Sequence, residues 1–209
     1  MRHVLNTIEA AFRVQPLLAQ LPLYRETGSG NTSMCGVFDL VTMEAFEWDA
    51  EADPTGRDYT TTPVDCEQLA QRHPALAASA TEAREALVTA AAECDEELME
   101  ELLVADLDTA AIDKDLLRAS LRRITVANGA AAASGAAARR SAESAGVVVL
   151  LGASLRNVGV QPLLDAVVDY LPSPFGAPHA HLLPCHSFAH KNLKSPCVEQ
   201  MTAGSGSQL

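Results

Sequence analysis

The chain has 209 residues and is 48% hydrophobic, enough for one or two globular domains, but only 4% aromatic, so a core must come from Ala, Leu and Val. A formal charge of -12 and a pI near 4.8 exclude a surface built to neutralise nucleic-acid phosphates, which needs clustered Lys and Arg. Five cysteines without a C-x-x-C pair point to reduced thiols rather than a secreted disulfide framework, and no apolar run approaches the roughly 20 residues that span a bilayer.

Val4, Leu5, Ile8 and Phe12 recur at helical spacing, and Pro16 ends that segment. The opening MRHVLNTIEAAFR has the arginines and amphipathicity of a transit peptide, but Glu9 and the lack of serine favour an ordinary helix. Residues 16–23 read as one strand, followed by a turn over 26–31. From Cys35 to Trp48 apolar groups occupy both alternating faces, which predicts two strands with a bend near Thr42. Residues 50–74 are polar and predict loop with one further strand.

Ser79 and Glu82 have capping-box spacing and open a predicted helix, 81–104, whose apolar stripe is Leu87, Ala91, Cys94, Leu98 and Leu102. Ten of the 27 acidic residues fall between Glu93 and Asp115, with the single base Lys114. Such a run suits a basic partner, although a solvated helix face is its commoner meaning. A second helix, about 114–126, turns Leu116, Leu117, Leu121 and Ile124 inward.

Residues 127–146 are half alanine with three glycines and predict a flexible low-complexity insertion. The run Val147 to Leu151 has no alternation, as in a parallel strand covered on both faces at a sheet centre. Left without neighbours, such a strand should drive aggregation. Pro162 suits the first position of a helix with Leu163, Leu164, Val167, Val168 and Leu171 on one face, stopped by Pro172 and Pro174. Beyond, periodicity is lost and disorder is predicted. His179, His181, Cys185, His186, His190 and Cys197 are zinc-type side chains, but their spacing matches no standard site and no metal is assigned.

The segment 152–174, GASLRNVGVQPLLDAVVDYLPSP, closely resembles the end of the GTP-binding domain of elongation factor G, a family of translation GTPases. Gly36 to Val41 with Trp48, and the stretches 82–87 and 95–100, resemble further blocks of that family in the same order. Arg123 to Asn128 is similar to its mitochondrial ribosome-releasing branch.

The resemblance implies an α/β fold: the C-terminal part of a P-loop GTPase G domain with its inserted α+β subdomain, followed by a disordered tail. Residues 1–15 would be a helix of the G domain, 16–126 the inserted G-prime-like subdomain, 127–146 a low-complexity insertion, 147–174 the last strand and helix of the G domain, and 175–209 the tail. The family uses GTP and magnesium. By this reading the chain lacks all three GTPase motifs, G-x-x-x-x-G-K-S/T, D-x-x-G and N-K-x-D, and the loop Gly28 to Ser33 lacks a phosphate-binding lysine.

The family's guanine-contacting loop aligns with Ala153, Ser154 and Leu155 in degenerate form, with alanine for the leading serine and Arg156 and Val158 for two lysines. The function so implied is part of a ribosome-acting translation GTPase, in translocation or ribosome release, unable to hydrolyse GTP alone and with no cofactor of its own. The alternative is a stand-alone, non-catalytic ribosome-binding module. The implied partners are the ribosome and, through helix 81–104, its acidic stalk protein, with no direct nucleic-acid or membrane contact. The implied location is mitochondrial, otherwise cytoplasmic.

Overall fold

The structure, a computed structural model, describes residues 2–26, 30–65, 67–74, 76–133 and 145–172. The middle of the predicted turn after Glu26, the insertion beyond residue 133, and the tail with its six zinc-type side chains lie outside the described residues. The leading helix α1 (Arg2–Phe12) forms as its periodicity predicts.

The single strand expected over 16–23 is two strands in two sheets. β1 (Gln15–Leu18) pairs in parallel with β6 (Gly146–Val149), whereas β2 (Gln20–Glu26) joins an antiparallel sheet in the order β2-β3-β4-β5, with β3 (Thr32–Asp39), β4 (Glu44–Glu47) and β5 (Thr60–Pro63). Ala19 makes the transfer: its N–H donates to the Val149 carbonyl at 3.0 Å, and its own carbonyl accepts from the Leu40 N–H at 2.9 Å. The alternation of apolar residues continues across this switch, so the pattern cannot reveal it. The bend near Thr42 is as expected: the Asp39 carboxylate accepts from the backbone N–H groups of Val41 at 2.8 Å and Thr42 at 2.9 Å.

Among the helices, α2 (Glu67–Arg72) stands where loop was expected, held by the buried Leu69. α3 (Leu76–Cys94) begins ahead of Ser79, whose hydroxyl donates back to the Leu76 carbonyl at 3.0 Å within the helix instead of capping it. The predicted continuous helix 81–104 breaks at Asp95, an extended residue that starts α4 (Glu96–Val104). The break has a partner: Arg123 on α5 (Lys114–Ala133) grips the Asp95 carboxylate with three bonds, Nε to Oδ1 at 3.1 Å and to Oδ2 at 3.2 Å, and Nη2 to Oδ2 at 2.7 Å. Burial, the largest single influence, would raise the Asp95 carboxyl, but the Arg123 bonds, the Ser120 hydroxyl, the Arg123 charge and the Leu98 N–H together hold it below the usual carboxylate range. α5 runs on to Ala133, where flexible chain was expected from residue 127. Gly129 costs the helix about 1 kcal/mol, but the alanines around it are the best helix formers.

The core lies between the two sheets and α3 to α5, with Leu17, Phe38, Leu40, Leu98, Leu117 and Leu121 removed from solvent. Arg84 on α3 fastens it: its guanidinium donates to the carbonyls of Leu40 at 2.5 Å, Val41 at 2.9 Å and Ile112 at 2.9 Å. A smaller cluster joins Val37, Trp48 and Val158.

β6 was expected at a sheet centre. Among the described residues its one strand neighbour is β1, and Val147 is 40% exposed. The last helix, α6 (Val160–Tyr170), starts two residues before Pro162, packs against α5 and buries Pro162, Ala166 and Tyr170. Arg122 donates to the α6 carbonyls of Asp169 at 2.6 Å and Val168 at 3.2 Å, satisfying part of the helix end. Leu163, Leu164, Val167, Val168 and Leu171 do form one stripe, but on the exposed face, Val168 at 76%. No described helix is long and apolar enough to cross a membrane.

Candidate guanine-contact loop

The apolar run of β6 delivers the chain to Gly152, after which the residues matched to the guanine loop form one tight turn. Ala153 N–H donates to the Val158 carbonyl at 2.9 Å, pinching the turn shut at its base. Within it, Ser154–Arg156 is a single 3-10 turn, with Arg156 N–H on the Ala153 carbonyl at 2.8 Å and Asn157 N–H on the Ser154 carbonyl at 3.1 Å. Two left-handed residues reverse the chain into α6: Asn157 at φ 57° and Gly159 at φ 80°. At Gly159 a side chain would also meet the Leu151 carbonyl, its Cβ 2.7 Å away. The structure thus brings Ala153, Ser154 and Leu155 together at an exposed tip, Ser154 and Leu155 facing solvent and Ala153 half-buried below.

The base is anchored from two sides. Gln20, 1% exposed, accepts from the Leu151 N–H through Oε1 at 3.1 Å, tying the start of the turn to β2. On the other side stands the loop after Trp48. Asn157 Nδ2 donates to the Thr55 carbonyl at 2.6 Å, and Gln161 Nε2 to the carbonyls of Gly56 at 3.0 Å and Arg57 at 3.1 Å. Gly56, at φ 64°, lies so close that a Cβ would sit 2.7 Å from the Arg156 carbonyl.

Asp53 holds this second loop in shape. It accepts from Thr55 N–H at 2.8 Å, Thr55 Oγ1 at 2.6 Å, Arg57 N–H at 2.7 Å and Asp58 N–H at 2.9 Å. The Thr55 hydroxyl, then the backbone donors, hold its carboxyl far below the usual range. The string D-x-x-G, expected to be missing, does stand in the chain as Asp53-Pro54-Thr55-Gly56, in a stretch that otherwise reads as polar loop. Its carboxylate is committed to its own turn and is no ready magnesium ligand. Nothing else among the described residues makes a phosphate cradle. The residues therefore do not fit GTP with its magnesium, and no chemical step is assigned through them.

The other partner segment expected, helix 81–104, is divided between α3 and α4. Glu93, Glu96, Glu97, Glu100 and Glu101 face solvent, and Glu97 pairs with Arg123 at 3.3 Å. At the end of α4, Leu103 and Val104 are exposed at 60% and 85%. One group of metal-ligand type converges elsewhere among the described residues, Cys35, Glu47 and His73. Their separation along the chain left no spacing signal to find them by.

No protein-family profile matches the chain. It is similar to three curated proteins named "Ribosome-releasing factor 2, mitochondrial". That of Eremothecium gossypii is 37% identical over 164 residues, 78% of this chain and 17% of that protein. That of Rattus norvegicus is 32% identical over 183 residues, 86% of this chain and 20% of that protein. That of Scheffersomyces stipitis is 28% identical over 173 residues, 83% of this chain and 18% of that protein. The chain spans about a fifth of the length of the curated relatives it matches.

Proposed function

Since the chain belongs to the elongation factor G family, we propose that it contributes to a ribosome-acting translation factor of the ribosome-releasing type, working in the mitochondrion. In this reading β6, the turn 153–156 and α6 are the last strand, guanine loop and last helix of a G domain, and the chain from Ala19 to Ala133 is its insert. The observation that carries it is the strand–turn–helix unit 146–170, which presents Ala153, Ser154 and Leu155 at an exposed tip on a doubly anchored base. The apolar stripe of α6 supports the same reading, because the remainder of a G domain would cover it.

GTP hydrolysis belongs to residues other than these, since phosphoryl transfer needs a phosphate cradle and a held magnesium ion. On the insert, the exposed carboxylates of α4 oppose an acidic partner, so contact with the ribosomal stalk protein falls to Leu103 and Val104 at the helix end.

Co-sedimentation of the full chain with mitochondrial ribosomes tests the reading. Binding that is weakened at least five-fold by Leu103→Ser with Val104→Ser supports it. A chain that stays in the supernatant at every ribosome concentration sinks the ribosomal reading, and GTP turnover above background by the purified chain sinks the non-catalytic assignment.

A further inference from the structure

Cys35 on β3, Glu47 at the end of β4 and His73 just past α2 converge beside the antiparallel sheet. Their ligand-type atoms, one sulfur, one carboxylate oxygen and one ring nitrogen, all lie within 4.8 Å of one another. Cys35 and Glu47 are 8% and 4% exposed, and the His73 side chain 12%. Glu47 Oε1 and His73 Nε2 are 3.3 Å apart. That is the edge of a tetrahedron drawn around zinc with bonds of about 2.0–2.1 Å to oxygen and nitrogen.

We propose that Cys35, Glu47 and His73 form a binding site for a borderline-soft divalent cation of the zinc class, with a fourth position open to water. A mixed sulfur, nitrogen and oxygen donor set selects such an ion over magnesium or calcium. The way in is a cavity of about 600 Å³ lined by Arg25, Met34, Cys35 and Trp48. Trp48, which lines that cavity, has its Nε1–H buried without a hydrogen-bond partner, a donor the protein itself leaves unused. Binding replaces the proton of the Cys35 thiol, which is released to solvent, and needs the neutral ring of His73.

The charges around Glu47 divide into support and competition. Arg72 Nη1 lies 2.5 Å from the second oxygen, Oε2, an ion pair without hydrogen-bond alignment that engages that oxygen and leaves Oε1 for the ion. Arg25 Nη2 lies 3.7 Å from Oε1, the ligating oxygen, and its side chain is 47% exposed. It must swing into solvent when the ion enters, so removing it strengthens binding.

The test is titration of the full chain with cobalt(II), read by the thiolate-to-cobalt charge-transfer band, and with zinc(II) by competition. The expected result is a band that saturates at one equivalent, is lost in Cys35→Ser, weakens at least ten-fold in His73→Asn and tightens several-fold in Arg25→Gln. Cys35 sits in the core, so the half-buried His73 keeps the test readable should Cys35→Ser fail to fold. No band, or one unchanged by His73→Asn and Arg25→Gln because other thiols or the tail histidines carry the metal, overturns the proposal.

Discussion

The antiparallel sheet with α3 to α5 and the unit formed by β6 and α6 are made of similar residues but finish differently. In the first, the apolar positions of strands and helices meet: Phe38, Leu98, Leu117 and Leu121 leave solvent entirely, and the ends of elements are tied by Arg84 and by Asp95 with Arg123. In the second, a helix with as strong an apolar stripe turns that stripe outward and buries its small and polar-tipped side, Ala166 and Tyr170. An amphipathic pattern shows that a face wants covering; it does not say that the same stretch of chain covers it.

The sharpest way to break the comparison is at the closed core. Leu121→Ala should cost about 3–5 kcal/mol, because the methyl groups removed leave a cavity that the surrounding helices cannot close, and a loss of unfolding free energy in urea of less than about 1 kcal/mol would show the packing to be loose. Next comes the helix break. Asp95→Asn should cost about 1–2 kcal/mol at pH 7, the Arg123 side chain being 34% exposed. The Asp95 carboxyl is held lower in the folded than in the unfolded chain, so this contribution is fully present above the unfolded value of about 4 and fades as pH falls through the lower folded one. Denaturation midpoints of wild type and Asp95→Asn should therefore converge in acid; a gap that persists there would mean Asp95 acts through something other than its charge. The smallest effect on stability belongs to the open face. Val168→Ser should change it by less than about 0.5 kcal/mol while reducing self-association, and sedimentation that is unchanged by the substitution would show the stripe to be harmless.

Much of the fold was legible. The helix 2–12, the two strands with their bend near Thr42, the helix from Lys114 and the strand–turn–helix at the end are all written in short-range periodicity and turn chemistry. The candidate tip was legible too, because Ala153 to Leu155 lie on one short turn that Gly159 enforces locally. The anchoring loop was not: Thr55 and Gly56 lie about a hundred residues from Asn157 and Gln161, and Asp53 is an ordinary turn aspartate until the structure places it. The convergence of Cys35, Glu47 and His73 was invisible for the same reason.

What the sequence by itself determined is local: which segments are helical or extended, where they stop, and the acidic, aromatic-poor character of the surface and core. Tertiary structure decided the rest. Ala19 divides one continuous apolar run between two sheets, because each of its backbone groups finds a different strand. Asp95 interrupts a helix that periodicity would continue, because Arg123 is there to hold its carboxylate. α6 chooses Ala166 over Leu164 as its buried face, because a small side chain lets it approach α5 while the Arg122 guanidinium takes up its terminal carbonyls. Each of these depends on a partner far along the chain, and no window of sequence contains both members of the pair.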